Sequence, residues 1–355
     1  MFSFFTESFI VNIFVNNIQK YLPDFIIRFF LKISIYLQSF IYTSSTFHED
    51  NIINTIANLN KVTFETDEAN KQHYEVPTDF FINHLGPKLK YSSCHWSKYD
   101  TIRDAEENTI LRYQKELKLD KLEDNSYILE IGNGWGCNLT PEDAGGSLSL
   151  LNALKYKNLN FRSFSNSSTQ IEYINSQIKK YNITNLEVQK LDIDDFVKNN
   201  IFNDIKFSRV VSIECIEHAK GYEKLFEKIS KILTNDGYCF FQIISNTRNS
   251  YIMTHDTWMG KYFFSGGIIP HVNLFNHFDK DLKIIKTEII NGKEYSKTLD
   301  YWLNTMYYNK NRINKIFNDD IMFQKWRMFY LMCSEAFKSL NGNNYVITYI
   351  TMNKK

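Results

Sequence analysis

The sequence predicts an open α/β domain, a parallel sheet with helices on both faces, and three features carry that expectation. Seven short strand-like runs alternate with helical patterns between residues 127 and 352, and such alternation builds parallel βαβ units. The first run, Tyr127–Ile131, has the length and residue types of a fully buried strand. It carries Glu130 at its end and is followed by Gly132, Gly134 and Gly136 at alternate positions. Glycine permits a tight turn and close approach of backbone to a ligand. The acid can accept bonds from ribose hydroxyls or hold the loop's own amides. This is how such a sheet starts a nucleotide-type site, although a glycine triplet alone also reads as an ordinary turn.

The 355 residues suffice for one large domain with additions or for two domains. At 43% hydrophobic the chain can bury a substantial core. A formal charge of +1 and scattered basic residues give no electrostatic basis for binding nucleic acid. Cys94, Cys137, Cys215, Cys239 and Cys333 are far apart and form no CxxC pair. That argues against a disulfide framework or a zinc site and for a reducing compartment, so a cytoplasmic location is expected.

The chain divides into an N-terminal part, 1–72, and a main domain, 73–355. Residues 1–46 are rich in Phe and Ile, but charged and amide residues interrupt them, among them Glu7, Asn16, Lys20, Asp24, Arg28 and Lys32. No run of about 18 uncharged apolar residues occurs, and no cationic start marks a signal peptide. After Pro23, residues 24–33 read as a capped amphipathic helix. Such a helix suits a membrane surface, the domain itself or a twin subunit. Residues 44–72 read as a polar linker with one helix.

In the main domain, strands are expected at 127–132, 159–164, 185–190, 207–213, 237–244, 282–290 and 345–352. Helices are expected at 101–118, 169–181 and 222–233, then at about 298–317 and 319–340. Between the fifth and sixth strands, residues 246–280 carry His255, Trp258, Phe263, Phe264 and Pro270. Aromatic material past a strand's carboxyl end tends to roof a ligand site. The second strand runs into Ser165-Asn166-Ser167-Ser168-Thr169-Gln170, short polar groups suited to a ribose or an amino-acid tail. Ser168 there can also cap a helix. The third ends in Leu191-Asp192-Ile193, suited to an exocyclic amine and a ring face, or to an Asp helix cap. The fourth, Val210-Val211-Ser212-Ile213, runs into Glu214-Cys215-Ile216-Glu217-His218. If this is a helical turn, the two acids share a face. Crowded carboxylates beside an imidazole spread their proton affinities, which suits proton handling near pH 7; the alternative is a loop of solvated charges.

Taken together, these residues resemble the cyclopropane-fatty-acid-synthase family of S-adenosylmethionine-dependent methyltransferases, and within it the plant coclaurine N-methyltransferase type. The resemblance covers about 73–355. It rests on Tyr74-Glu75-Val76-Pro77, on Leu89-Lys90-Tyr91-Ser92-Ser93-Cys94, and on Leu129-Glu130-Ile131-Gly132 through Gly136. It continues in the segments 165–170 and 214–218, in Gly292-Lys293-Glu294-Tyr295-Ser296-Lys297-Thr298, and in Trp326-Arg327 with Glu335. Leu22-Pro23-Asp24 onward is similar to the N-terminal helix of eukaryotic members. The resemblance implies a Rossmann-like class I methyltransferase fold: a seven-stranded sheet with helices on both faces, N-terminal helices and helical insertions.

It also implies a site. Ser92, Gly132, Asn166, Gln170, Asp192, Ile193 and Val211 would touch S-adenosylmethionine, with Gly134 and Gly136 completing the loop. Glu214, Glu217 and His218 stand where the N-methyltransferase branch keeps its substrate-amine and proton-handling residues. Cys94, Glu217 and Tyr295 match positions that hold bicarbonate in the cyclopropane branch. A further bicarbonate position, normally His, falls on Gln242, which cannot hold a proton. Having both Glu214 and Glu217 favours the amine branch.

Two departures stand out. Asn133 replaces the usual Cys. Residues 137–146 are inserted where the helix after the first strand should begin, and Pro141 blocks a continuous helix there; the helix is expected to start near Ser147, with the insertion looped outward. The expected activity is methyl transfer to a small amine. The alternatives are methyl or methylene transfer to an unsaturated acyl chain, with the N-terminal segment at the bilayer, and a non-catalytic binding protein whose cofactor loop is disrupted.

Overall fold

All seven expected strands join one sheet in the computed structural model of the protein, which describes residues 19–41, 46–57, 59, 61–63, 76–98, 100–135, 148–255 and 257–355. In chain order the strands are β1 (Tyr127–Ile131), β2 (Asn160–Ser165), β3 (Leu186–Lys190), β4 (Phe207–Ile213), β5 (Leu233–Asn246), β6 (Tyr251–Ile252), β7 (Ile268–Ile269), β8 (Leu282–Ile290) and β9 (Tyr345–Lys354). The sheet order is β3-β2-β1-β4-β5-β9-β8, and β6 and β7 form a separate ribbon. β1 to β5 are parallel.

β9 departs from the all-parallel expectation, because it runs antiparallel to both β5 and β8. The cause is where the preceding helices return. The Gly292 amide donates to the Gly342 carbonyl at 2.9 Å, so the excursion after β8 leaves and re-enters at one place. Tyr345 then pairs with Asn246, the last residue of β5. A strand starting at the carboxyl edge can only run back.

Alternate strand residues feed two cores, as the two-residue period requires. Ile128, Phe161, Val211, Phe240 and Ile347 enter one core. There they meet α3 (Thr78–Ile82), α4 (Ile102–Leu117), α5 (Leu148–Lys155), α6 (Ser168–Lys180) and the three helices after β8. Those are α10 (Lys293–Tyr308), α11 (Lys310–Phe317) and α12 (Asp320–Gly342). Leu129, Phe164, Val210, Phe241 and Ile243 enter the other core, against α2 (Thr46–Ala57), α7 (Ile193–Lys198) and α8 (Tyr222–Ile232). Each such side chain contributes roughly 1.5–3 kcal/mol when fully buried. The expected helix at 101–118 is α4, started by a capping box in which Thr101 and Asp104 exchange bonds. The segment 246–280 holds the ribbon and α9 (Trp258–Tyr262).

The helix expected after Pro23 is α1 (Asp24–Ile41), and it lies on α12. Ile27 is fully buried. Arg28 donates to Glu335 at 2.5 Å, to Asp300 at 2.7 Å and to Ser334 at 3.2 Å. Asp24 accepts from Tyr307 at 2.7 Å and pairs with Arg327 at 2.5 Å. Asp24 and Arg28 of α1 thus face the protein, while Phe25, Phe29, Phe30, Ile33, Tyr36 and Leu37 are exposed, with Lys32 among them. Among the described residues, no helix is long and apolar enough to cross a membrane.

The Glu335 side chain is 1% exposed and Arg28 is its shortest ion pair. Arg28→Met leaves that charge with Lys338 at 3.5 Å and Lys32 at 3.9 Å. The expected loss is about 2 kcal/mol, less than for a wholly unpaired buried charge. Urea unfolding of the purified chain checks it; a loss below about 0.5 kcal/mol would make the contact an ordinary surface pair.

Candidate functional site

The carboxyl edge of β1 shows what the acid and the glycines do. Glu130 is 3% exposed, and its Oε2 accepts the Ser149 amide of α5 at 3.0 Å. Among the described residues it thus holds an amide of the following helix rather than one of the glycine loop itself. Burial pushes its carboxyl up to about 7, with the Ser149 bonds opposing. Gly132 (φ +81°) and Gly134 (φ +58°) both take the left-handed conformation. A Cβ on Gly132 would lie 2.3 Å from Cys215 Sγ, whereas one on Gly134 would meet nothing within 4 Å among the described residues. Against the described residues, the loop is thus packed at its first glycine and not at its second. Asn133 is buried; its amide nitrogen reaches Ser163 at 3.3 Å, and its Oδ1 has no hydrogen-bond partner among the described residues. Gly136 and the insertion at 137–146 lie outside the described residues, and α5 begins at Leu148, one residue after the expected start.

At the end of β2, Ser167 rather than Ser168 caps α6, its hydroxyl accepting the Gln170 amide at 3.3 Å. The shift follows from Ser165, whose hydroxyl accepts the Ser167 amide at 3.1 Å and donates to Gln170 Oε1 at 2.7 Å. That fixes the turn one residue earlier. Gln170 is buried, and Asn166 is half-exposed at the rim. At the end of β3, Asp192 is a helix cap: its Oδ1 accepts the Asp194 amide at 2.7 Å and the Thr63 hydroxyl at 3.2 Å. Both bonds fall on one oxygen. The helix it caps, α7, is only six residues long. Ile193 beside it is 8% exposed. Val211, opposite Glu130 in the sheet, is 1% exposed and its side chain belongs to the core. Ser92 is 6% exposed and accepts from Lys90 Nζ at 2.7 Å.

The acid-rich turn is not the helical turn that would align its carboxylates. Glu214 adopts φ +47°, and a short 3-10 turn, Ile216–His218, follows. The Glu214 carboxylate accepts the Ser93 amide at 2.9 Å, Gln242 Nε2 at 2.5 Å and the Tyr295 hydroxyl at 2.9 Å. Tyr113 donates to the other end of Gln242. Burial raises the Glu214 proton affinity, and the Lys90 charge and these three donors oppose the rise. Glu217 is 2% exposed; its Oε1 accepts the Ile244 amide at 2.6 Å, and its Oε2 has no partner among the described residues. Burial, then the Glu214 charge, pushes Glu217 up to about 8. Burial and the neighbouring Lys220 hold His218 down at about 4. At neutral pH the turn therefore carries a neutral imidazole beside a carboxyl that readily keeps its proton. These are not solvated surface charges.

The 246–280 segment reaches this turn. The Phe264 ring lies 4.8 Å from the His218 ring. Phe263 stacks on Phe329 of α12 at 4.5 Å, and Trp258 and Phe263 are 2% exposed. His255 meets the Ser265 hydroxyl at 3.0 Å. Cys94 is 2% exposed and burial pushes its thiol up to about 12. Its thiol points at the Ser92 carbonyl, 3.8 Å away.

Three residues of this network were not singled out in the sequence. Lys90 is 7% exposed, bonded to Ser92 and to the Ser93 carbonyl, with burial lowering its proton affinity. Its position inside the 89–94 motif was the available signal. Tyr113 and Glu106 lie on α4, on a face whose charges and rings look like ordinary amphipathic patterning. Glu106 is fully buried, accepts the Lys88 amide at 2.9 Å, and is pushed up to about 7 by burial.

The family described as mycolic acid cyclopropane synthetase matches residues 62–347. A curated relative, (S)-coclaurine N-methyltransferase of Thalictrum flavum subsp. glaucum, is 29% identical over 309 residues, covering 83% of this chain and 81% of the relative. A crystal structure of coclaurine N-methyltransferase bound to N-methylheliamine and SAH superposes with a TM-score of 0.82 at 24% identity, covering 94% of this chain and 96% of that one. A cyclopropane synthase of Mycobacterium tuberculosis superposes with a TM-score of 0.66 at 20% identity, covering 83% of this chain and all of that one (100%).

The contact between Gly132 and Cys215 yields a test. Gly132→Ala places a side chain at φ +81° and against Sγ. S-adenosylmethionine affinity, measured by calorimetry, should fall at least about tenfold, since left-handed geometry alone costs roughly 1–2 kcal/mol. Adding Cys215→Gly should recover only the steric share. Unchanged affinity in Gly132→Ala would remove this loop from the cofactor site.

Proposed function

Because this chain belongs to the mycolic acid cyclopropane synthetase family, we propose that it is an S-adenosylmethionine-dependent methyltransferase acting on the nitrogen of a small amine. The observation that carries the reading is the pair of buried acids at the end of β4, with Glu217 at about 8 beside a neutral His218. An amine attacks only when unprotonated, and an ammonium holds its proton far more tightly than an ordinary carboxylate can take it. Raising a carboxyl toward 8 narrows that gap, as efficient proton transfer requires.

The residues fit the cofactor. The left-handed Gly134 lets backbone approach a ligand, and Asn133 Oδ1, unpartnered among the described residues, offers an acceptor at the same loop. Gly132, Gly134, Gly136, Asn166 and Gln170 would hold the ribose and amino-acid portion; Asp192 and Ile193 would hold the base. Ser92 and the backbone at Val211 would close the floor. Bound there, S-adenosylmethionine supplies a methyl group on a sulfonium that leaves as a neutral thioether.

The chain's own groups do the rest. Ionised Glu217, its carboxylate steadied by the Ile244 amide, accepts the proton from the incoming ammonium and becomes the neutral acid. Neutral His218 relays the proton outward. Phe264, against His218, supplies an aromatic wall for the cationic amine. The 246–280 segment and α12 exclude water, so alignment of the nucleophile does most of the catalytic work.

Bicarbonate does not fit. Tyr295 and Gln242 already donate to Glu214, and the buried Cys94 thiol keeps its proton. No step here uses that ion. One observation, the exposed apolar side of α1, supports a second reading in which the chain works at a lipid surface on unsaturated acyl chains.

Labelled S-adenosylmethionine offered to a panel of amines and to phospholipid vesicles tests the reading. Label in amines supports it; label only in acyl chains would replace it with the second. Glu217→Gln should lower turnover by about 10²–10⁴-fold, the usual scale for loss of a general base. Because Glu217 must lose its proton to act, wild-type turnover should rise as pH rises through about 8. A flat profile from pH 6 to 9 (roughly, the range that brackets this group) would remove Glu217 from the mechanism.

A further inference from the structure

Glu214 does not stand free to receive a substrate cation. We propose that it is a fixed internal anion: its carboxylate fills a three-donor cradle that, once the side chain is removed, binds a small free carboxylate such as formate or bicarbonate. Only the effect on turnover rests on the function proposed above.

The cradle is built from three separate parts of the chain. Ser93 offers its backbone amide from the 89–98 loop, Gln242 its side-chain amide from β5, and Tyr295 its hydroxyl from α10. Gln242 is oriented from behind. Tyr113 donates to its oxygen, which leaves the NH₂ end facing Glu214. The buried Lys90 ammonium sits against the Ser93 carbonyl and counts the Glu214 charge among those acting on it. These are donors converging on one anion, and the anion belongs to the chain.

The backbone supports the same view. Glu214 is held at φ +47°, a conformation that favours glycine, with its amide donating to the Gln242 carbonyl at 2.8 Å. A non-glycine residue held there against its preference points to a side chain that is needed. Its charge also acts on Glu217, which makes Glu214 a positioning residue. The protein accordingly needs no free bicarbonate.

Glu214→Gly is the informative variant, because glycine relaxes into that backbone geometry. In the full chain, ¹³C-formate should bind this variant, seen by line broadening, and should not bind the wild type. Glu214→Gln, which keeps the volume, should bind none, and adding Tyr295→Phe to Glu214→Gly should weaken binding. Turnover of Glu214→Gly should fall roughly 10–100-fold, the scale of a lost alignment, and formate should restore a large part of it. Wild-type turnover should be indifferent to stripping of bicarbonate from the buffer. A Glu214→Gly variant that melts like the wild type yet binds no formate overturns the proposal, as does a wild-type enzyme that slows without bicarbonate. The binding arm needs no methyl transfer, so its failure is separable from failure of the amine reading; the wild-type arm survives a variant that does not fold.

Discussion

Two carboxyl groups buried at the end of one strand set the terms for the rest of this site. A carboxylate removed from water must find donors or keep its proton. β4 ends with one solution of each kind. Glu214 is met by an amide, a side-chain NH₂ and a hydroxyl, with the Lys90 ammonium close by. Glu217 has one backbone donor and the neighbouring negative charge, so it holds its proton to about pH 8. Environments that drive two acids apart assign them different work.

The fold is what brings these donors together. Ser93 precedes the sheet, Gln242 lies on β5 and Tyr295 follows β8, so the cradle closes only when distant segments of the chain are in register. The helical excursion after β8 is central. By leaving and returning at one edge it forces β9 to run backward between β5 and β8, and it seats α10 with Tyr295 against the end of β4. α1 is tied to the same excursion through Arg28 and Asp24. Its remaining face is exposed and, apart from Lys32, largely apolar, the reverse of what an isolated surface helix would show.

Much of this was legible in the residues. Every expected strand forms, although β5 runs from Leu233 to Asn246, past both ends of the 237–244 run that marks it. The acid pair was legible as chemistry because it follows directly on a buried strand. Direction was not legible for β9, since it depends on where three helices return. Ser167 took the cap expected at Ser168 because the Ser165 hydroxyl fixes the turn, a contact that spacing does not encode. The shared face of Glu214 and Glu217 failed for a backbone reason: a left-handed Glu214 breaks the helical geometry on which the three-residue spacing relies. Lys90, Tyr113 and Glu106 carry side chains that solvent-facing positions also carry, and only burial separates the two cases.

The account stands on unequal proton affinities within one turn. Carbon-13 NMR of the protein with ¹³C-labelled glutamate carboxyls, titrated through neutral pH and assigned with Glu217→Gln, measures this directly. One carboxyl lost in that variant should titrate with a midpoint of about 8. A Glu217 resonance already ionised at pH 6, well below that midpoint, would contradict the account.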